Sequence, residues 1–157
     1  MRMTKKSNIP TIIALYHIGY MNNDEVIKWA DDKLMSDEED FDYIHLLSLH
    51  GAGYCIKLQN HEFPDKREFT YLEEFSIRTM MLDLSSNESI NKYLKWVTYD
   101  SSGLDIEMPE VYFGYLLDHY FYECEDKGFA NKYLCEGIEE FKPKCKEVFD
   151  SIMSEIS

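Results

Sequence analysis

The chain has 157 residues, of which 45% are hydrophobic and 15% aromatic, and it contains only seven glycines and four prolines. This composition excludes disordered and fibrous proteins and predicts a compact domain with its own core. Thirty acidic residues against sixteen basic ones give a formal net charge of -14. So acidic a chain disfavours direct binding of DNA or RNA, because such binding relies on Lys and Arg to displace phosphate counterions.

Apolar residues at helical spacing dominate the first third of the chain, after a basic arm over residues 1–8 that we expect to be flexible. A first helix is predicted from Ile9 to about Tyr20, where isoleucines and tyrosines recur at three- and four-residue steps. Asn23 is expected to cap a second helix, since its side-chain oxygen can accept free amide protons. This helix is expected to bury Val26, Ile27, Ala30 and Leu34. A third helix would start at Asp37, Asp40 or Asp42, bury Tyr43, Ile44, Leu46 and Leu47, and stop at Gly51.

The middle of the chain continues the helical pattern. The sequence YCIKL, residues 54–58, is expected to form a turn or short helix, because a lone strand would leave its backbone groups unpaired. The stretch from Asp65 to Leu84 lacks Gly and Pro and predicts a long fourth helix. A fifth helix is expected to begin at Ser85 or Ser86.

The last third adds three predicted helices. Pro109 suits the first turn of a sixth helix that runs to Lys127, before Gly128. A short seventh helix is expected near Asn131–Gly137, and an eighth begins around Pro143. The predicted fold is therefore all-α, a single domain over residues 1–157 with about seven or eight helices. Short connections favour antiparallel neighbours.

The four cysteines, Cys55, Cys124, Cys135 and Cys145, are expected to be reduced thiols, because no secretory leader is recognisable before them. No apolar run approaches the roughly 20 residues that a bilayer crossing needs. These observations place the protein in a reducing cytoplasm, away from membranes.

No catalytic or metal-binding signature is recognisable, so neither enzyme activity nor a metal or cofactor is expected. His45, His50, Cys55 and His61 are close in sequence, but a five-residue spacing puts His45 and His50 about 140° apart on a helix, which disfavours a zinc site. The acids before residue 43 lack the glycine of an EF-hand. Two alternatives stay open, a nonstandard magnesium or calcium site and a small enzyme that uses Asp118 and His119.

The negative charge is concentrated between Asn22 and Asp42, where nine acids stand against Lys28 and Lys33. Helix capping uses one or two carboxylates, and like charges this dense repel within the screening length of roughly 8 Å at physiological salt. The excess indicates either a solubilising surface or a recognition surface for a basic partner. The candidate binding residues in this region are Asp31, Asp32, Asp37, Glu38, Glu39, Asp40 and Asp42.

A second unusual stretch, PEVYFGYLLDHYFYECED, is rich in tyrosine. Helical spacing predicts a buried stripe through Phe113, Leu117, Tyr120 and Cys124, so tyrosines also occupy other faces of the helix. One interpretation is a central helix covered all round, with each tyrosine hydroxyl hydrogen-bonded. The other is a contact surface, since exposed tyrosines often anchor protein interfaces. The candidate contact residues are Tyr112, Tyr115, His119 and Tyr122.

Residues 18–49, which include VIKWADDKLMSDEEDFDYIHLLSL, resemble small bacterial immunity proteins of polymorphic-toxin and contact-dependent inhibition systems. In those proteins a helix bearing VIKWAD precedes an acidic turn and another apolar helix. The resemblance implies a cytoplasmic protein that binds one cognate toxin domain, commonly a nuclease, and blocks its active site without doing chemistry itself. A nuclease is basic where it holds phosphates, so an acidic inhibitor complements it. The alternative is a helical regulatory or structural subunit that binds another basic protein.

Overall fold

The computed structural model describes residues 8–35, 41–58, 63–101 and 103–157. Within these ranges the chain forms eight α-helices, one π-helix and no strand, which confirms the predicted all-α class. The helices are α1 Ile9–Ile18, α2 Asn23–Leu34, α3 Phe41–His50, α4 Ala52–Cys55, α5 Tyr71–Met81, α6 Asn87–Asp100, α7 Pro109–Asp118, the π-helix His119–Glu123 and α8 Lys127–Ser154. None of these helices has the length and hydrophobicity needed to cross a membrane.

The chain divides into two compact units. The described residues up to Phe69, together with Ser151–Ser157, form unit 1, and Thr70–Asp150 form unit 2. Unit 1 therefore holds α1 to α4 and the last residues of α8, whereas unit 2 holds α5 to α7, the π-helix and most of α8. The single domain over residues 1–157 stays a prediction, and the basic arm predicted over residues 1–8 lies outside the described residues except for Asn8.

The core of unit 1 is built around α1, most of whose residues are buried. Gly19 ends this helix in the left-handed region, with φ 91°, a conformation that glycine adopts without strain. The final residues of the chain pack beside it. Thr11 Oγ1 donates to Glu155 Oε1 at 2.9 Å, and Arg67 pairs with the same carboxylate at 3.1 Å. Trp29 Nε1 donates to the carbonyl of Ile156 at 2.8 Å, which fixes α2 as well.

The cap of α2 is Asn22 and not the predicted Asn23. The Asn22 side chain accepts from the amide of Glu25 at 2.8 Å, and the Glu25 carboxylate accepts from the amide of Asn22 at 3.2 Å. Only Asn22 has a glutamate three residues later, so only this position completes the reciprocal capping box. Asn23 Oδ1 instead accepts from the amide of Gly53 at 3.0 Å and ties α2 to α4.

The predicted buried residues of α2 and α3 are partly confirmed. Val26 and Ala30 on α2 are fully buried, as are Ile44 and Leu47 on α3. Four others are only half-buried, namely Ile27, Leu34, Tyr43 and Leu46. Asp42 lies within the first turn of α3 and does not cap it, while the other two candidate caps, Asp37 and Asp40, lie outside the described residues. The short helix expected near YCIKL is α4.

The helix α5 begins at Tyr71, not at Asp65 as predicted. Thr70 and Glu73 form a capping box, with the Thr70 hydroxyl accepting from the Glu73 amide at 3.2 Å and Glu73 accepting from the Thr70 amide at 3.0 Å. These reciprocal bonds fix the start of the helix. Before it, the amide of Arg67 donates to the carbonyl of Pro10 at 2.9 Å, so this segment bonds to α1 instead of to its own helix. Ser86 caps α6, as predicted.

The predicted seventh and eighth helices are one continuous helix, α8. Gly137 does not stop it and instead allows close packing, since a Cβ there would lie 2.1 Å from Phe113 Cε1. Pro143 lies inside the helix, although an interior proline costs about 3 kcal/mol. Ile138 and Cys145, on either side of it, are buried in the same core and hold both halves in place.

The core of unit 2 is aromatic. Phe75 is fully buried and meets Phe113 and Phe141 edge-on, at centroid distances of 6.3 and 5.6 Å. Glu110 on α7 is also buried, and Lys144 on α8 reaches its Oε1 at 2.7 Å. This ion pair and the close approach at Gly137 fasten α7 to α8, which positions the tyrosine-rich segment described below.

Candidate functional site

The acids of α2 are exposed to solvent. Asp24, Asp31 and Asp32 lie on the side of the helix away from the buried Val26 and Ala30. In the described part of the chain, neither Asp24 nor Asp32 forms an ion pair. Asp31 accepts a hydrogen bond from the Ser48 hydroxyl, which ties α2 to α3 and leaves the carboxylate uncompensated by a positive charge.

The two lysines of α2, Lys28 and Lys33, lie close to these acids in the sequence. Lys28 is exposed and lies four residues from both Asp24 and Asp32, the spacing of helical ion pairs, but it forms no ion pair with either. Lys33 lies over the ring of Trp29, with its Nζ 5.9 Å from the ring centroid. The face of α2 therefore presents net negative charge outward.

The structure locates three of the seven predicted acidic binding residues. Asp31 and Asp32 are exposed on α2, and Asp42 is exposed in the first turn of α3. The other four, Asp37, Glu38, Glu39 and Asp40, lie outside the described residues. We call Asp24, Asp31, Asp32 and Asp42 the acidic face. All four belong to unit 1.

The predicted tyrosines are exposed as well. Tyr112, Tyr115 and Tyr122 are 47%, 57% and 58% exposed, so the interpretation of a helix covered on all sides is wrong for them. No hydroxyl of these three tyrosines has a hydrogen-bond partner among the described residues. Tyr120, by contrast, is half-buried and packs edge-on against Phe129 at 4.9 Å.

Three of the four predicted contact residues line two grooves in unit 2. Tyr112 lines a groove of about 240 Å³ between α7 and α8. Tyr115 and His119 line another of about 300 Å³, together with Asp118 and Glu123. Tyr122 lines neither groove. The first groove is lined by Pro109, Tyr112, Phe113, Tyr133, Glu136, Gly137, Glu140 and Phe141.

Both grooves carry carboxylates next to aromatic rings. Glu136 and Glu140 border the first groove, and Asp118 and Glu123 border the second. Burial raises the pKa of Tyr133 in the first groove, and the nearby Tyr120, Tyr112 and Glu140 raise it further. Tyr133 therefore stays a neutral hydrogen-bonding group there. Negative charge beside aromatic surface is suited to a cationic ligand or partner.

The π-helix brings together three side chains that sequence reasoning did not connect. His119 Nδ1 lies 2.7 Å from Glu123 Oε2, and His119 Nε2 lies 3.5 Å from Cys124 Sγ. The amide of Cys124 donates to the carbonyl of His119 at 3.1 Å, an i to i−5 bond that is typical of π geometry. Cys124 then leaves the helix in an extended conformation. We call His119, Glu123 and Cys124 the thiol cluster.

Glu123 and Cys124 were not among the residues predicted to form a site. The open alternative of a small enzyme paired Asp118 with His119, but the histidine bonds to Glu123, while Asp118 borders the same groove. The available signal was the spacing of His, Glu and Cys at positions i, i+4 and i+5. On a regular α-helix this spacing places the outer two side chains on different faces, so the pattern alone does not indicate a site.

Among the residues that the structure describes, no group of three His, Cys, Asp or Glu side chains is arranged to hold a metal ion. All four cysteines are free, with Cys55 and Cys145 buried and Cys135 exposed. Comparison of the chain with known protein families, curated proteins and solved structures finds no match.

Proposed function

We propose that this protein is a cytoplasmic immunity protein that binds a basic toxin domain, such as a nuclease, and blocks it sterically. The observation that carries the proposal is the acidic face, where carboxylates are exposed without a compensating cation in the described ranges. The resemblance of residues 18–49 to immunity proteins supports the same role. Asp31, Asp32 and Asp42 are the described residues that would meet the toxin.

Charge explains how such a partner would be captured. A nuclease needs Lys and Arg along the groove that holds phosphates, and a dense negative face competes for that groove. Complementary potentials of this kind accelerate association up to about 10⁸–10⁹ M⁻¹s⁻¹ at low salt. Lasting affinity comes from buried anchors, and large aromatic side chains most often supply them. The exposed Tyr112, Tyr115 and Tyr122, with His119, are candidates for that part.

The first experiment is co-expression with a toxin encoded by a neighbouring gene, combined with a growth assay and a pull-down of the purified proteins. We expect growth to be rescued and a stable complex to form. Rescue without a complex would contradict steric blocking. A complex that leaves the partner active would favour the alternative, a regulatory or structural subunit for a basic protein.

A second experiment separates the acidic face from net charge in general. The triple variant D31N/D32N/D42N removes three charges from the face, and E107Q/E139Q/E147Q removes three from exposed positions of unit 2. With the first triple we expect association with the toxin to slow by roughly tenfold at low salt and to depend less steeply on salt. The control triple should change the association rate little. Equal slowing by both triples would show that no particular surface guides docking.

A further inference from the structure

We propose that Cys124 is a reactive thiol, activated by His119 and Glu123 for attack on small disulfides. The three side chains have the mutual geometry that nucleophilic catalysis needs, with a nucleophile beside a base and the base held by a third group. The two distances are 3.5 Å from Sγ to the imidazole and 2.7 Å from the imidazole to the carboxylate. His119 and Glu123, the two partners of the thiol, also line a groove of about 300 Å³ that can hold a small molecule.

The orientation of the imidazole follows from the chemistry of its partners. A carboxylate has no proton to donate, so Nδ1 of His119 donates to Glu123 Oε2. In a neutral imidazole the other nitrogen, Nε2, is then an acceptor, and it is Nε2 that faces the thiol of Cys124. The cluster therefore holds the histidine in the tautomer that can remove the thiol proton.

The reaction is a thiol–disulfide exchange. His119 Nε2 takes the proton of Cys124 as Sγ attacks one sulfur of a disulfide R–S–S–R, so that the bond between the two R–S sulfurs breaks. Cys124 becomes a mixed disulfide with one R–S group, and the other R–S leaves as a thiolate that receives the proton as R–SH. Cys124 is oxidised and the small disulfide is reduced, so no other oxidant is needed.

The surroundings of the thiol determine which disulfides react fastest. Asp118 and Glu123 border the groove, and the exposed Glu125 and Asp126 follow Cys124. These four acids outnumber the cation Lys127, which donates to the carbonyl of Phe121 at 3.0 Å. This negative potential repels anionic reagents and attracts cationic ones. We therefore expect cystamine, which carries two positive charges, to react faster than oxidised glutathione, which is anionic.

The chain contains its own control in Cys135. This cysteine is exposed on α8, whereas Cys124 is half-buried. Accessibility alone therefore predicts that Cys135 reacts faster. In the described residues Cys135 has no histidine partner. The buried Cys55 and Cys145 serve a different purpose, because their labelling would report unfolding of the protein.

The experiment measures labelling rates of the four cysteines in the full chain by peptide mass spectrometry, with neutral dipyridyl disulfide as the reagent. We expect Cys124 to react about tenfold or more faster than Cys135. His119→Ala should reduce the rate at Cys124 to within about threefold of Cys135, without labelling of Cys55 or Cys145. Glu123→Ala should slow Cys124, while Glu123→Gln, whose amide oxygen still accepts from Nδ1, should retain most of the rate.

Two results would overturn the proposal. One is a Cys124 rate equal to or below that of Cys135 in the unaltered protein, which would mean that exposure alone governs reactivity. The other is a Cys124 rate that His119→Ala leaves unchanged. Repeating the measurement with cystamine and oxidised glutathione tests the preference for cations, and faster reaction with glutathione disulfide would contradict the assigned substrate class.

Discussion

The acidic face of α2 and the thiol cluster of the π-helix use their polar groups in opposite ways. The carboxylates of α2 point to solvent and, in the part of the chain that the structure describes, have no cation paired with them. His119, Glu123 and Cys124 bond to one another. An outward charge requires only a regular helix with its apolar side buried, whereas the contact between His119 and Cys124, five residues apart, requires a backbone that departs from regular α geometry.

Two pairs with the same five-residue spacing illustrate this difference. His45 and His50 lie on the α-helix α3, where this spacing separates side chains by about 140°. The ring of His50 instead contacts Tyr54, at a centroid distance of 4.2 Å. His119 and Cys124 are also five residues apart, but the wider π turn brings their side chains into contact. Spacing alone therefore does not tell which pair forms a site.

The largest expected effect concerns a closely packed glycine in each of the two units, Gly137 in unit 2 and Gly53 in unit 1. Gly137→Ala should destabilise the protein by about 1–3 kcal/mol or more, because the new Cβ would lie 2.1 Å from Phe113 Cε1 beneath α7. The matched change near α2 is Gly53→Ala, where the closest atom is Tyr16 Oη at 3.2 Å and a much smaller loss is expected. Urea unfolding of both variants measures the contrast. Equal losses of stability would mean that the two glycine positions tolerate an added methyl group equally well.

The next prediction concerns alkaline pH and the buried Tyr93 in unit 2. Burial raises the pKa of Tyr93 above its usual value of 10.0, and a hydrogen bond to Thr79 only partly offsets this shift. The stabilisation is thus fully present below pH 10 and is lost as the pH rises from there towards the folded-state pKa, because the unfolded chain ionises first. The slope is at most about 1.4 kcal/mol per pH unit.

Urea unfolding between pH 8 and pH 11.5 tests this prediction. Tyr93→Phe should flatten the decline of stability above pH 10, although it loses some stability at neutral pH with its bond to Thr79. Tyr99→Phe is the control, because Tyr99 is 81% exposed and should leave the slope as it is. An unchanged slope in Tyr93→Phe would contradict the assignment.

A third prediction compares the helix-capping boxes of the two units. Asn22→Ala in unit 1 and Thr70→Ala in unit 2 each remove the side chain of a capping box. Each should lower the free energy of unfolding by about 1 kcal/mol, since both leave the Glu25 or Glu73 amide without its acceptor. Thermal unfolding of the two variants gives the comparison. A loss in only one of them would show that the two caps differ in importance.

The smallest effect tests whether the acids of α2 serve stability. Asp32 lies in the last turn of α2, where a negative charge opposes the helix dipole, and Asp24 lies in the first turn, where it is favourable. Asp32→Asn should therefore stabilise the protein by about 0.3–0.5 kcal/mol, and Asp24→Asn should destabilise it by a similar amount. Both effects should fade in 1 M salt. Destabilisation by Asp32→Asn would indicate a structural role for this acid.

Periodicity was sufficient to predict the class of the fold and the existence of most helices, because burial of one apolar side follows directly from residue spacing. Helix ends were harder to predict, for two different reasons. Thr70 and Glu73 delay α5 through a local capping box, a pattern that the sequence contains but that the prediction did not include, whereas Gly137 lies inside α8, where Phe113, distant in the sequence, packs against it. Neither the delayed start nor the continued helix follows from composition alone.

For the candidate sites, too, residue spacing predicted one part and not another. The exposure of Asp31, Asp32 and the three tyrosines agrees with the expectation of outward-facing contact residues, since polar residues opposite a buried stripe must face water. The thiol cluster was not predicted, because it depends on a local change from α to π geometry. A histidine, a glutamate and a cysteine within six positions become a cluster only after that change.

The proline inside α8 affects how this helix exchanges its amide protons. Pro143 has no N–H, so the carbonyl four residues earlier, at Glu139, lacks its helical donor. Glu139, Glu140, Lys142 and Lys144 around this gap are exposed and Phe141 is half-buried, whereas Ile138 and Cys145 on either side are buried. Deuterium uptake along α8 should therefore show a fast-exchanging interval near Pro143 between two protected stretches, so that one long helix behaves as two segments in its local opening.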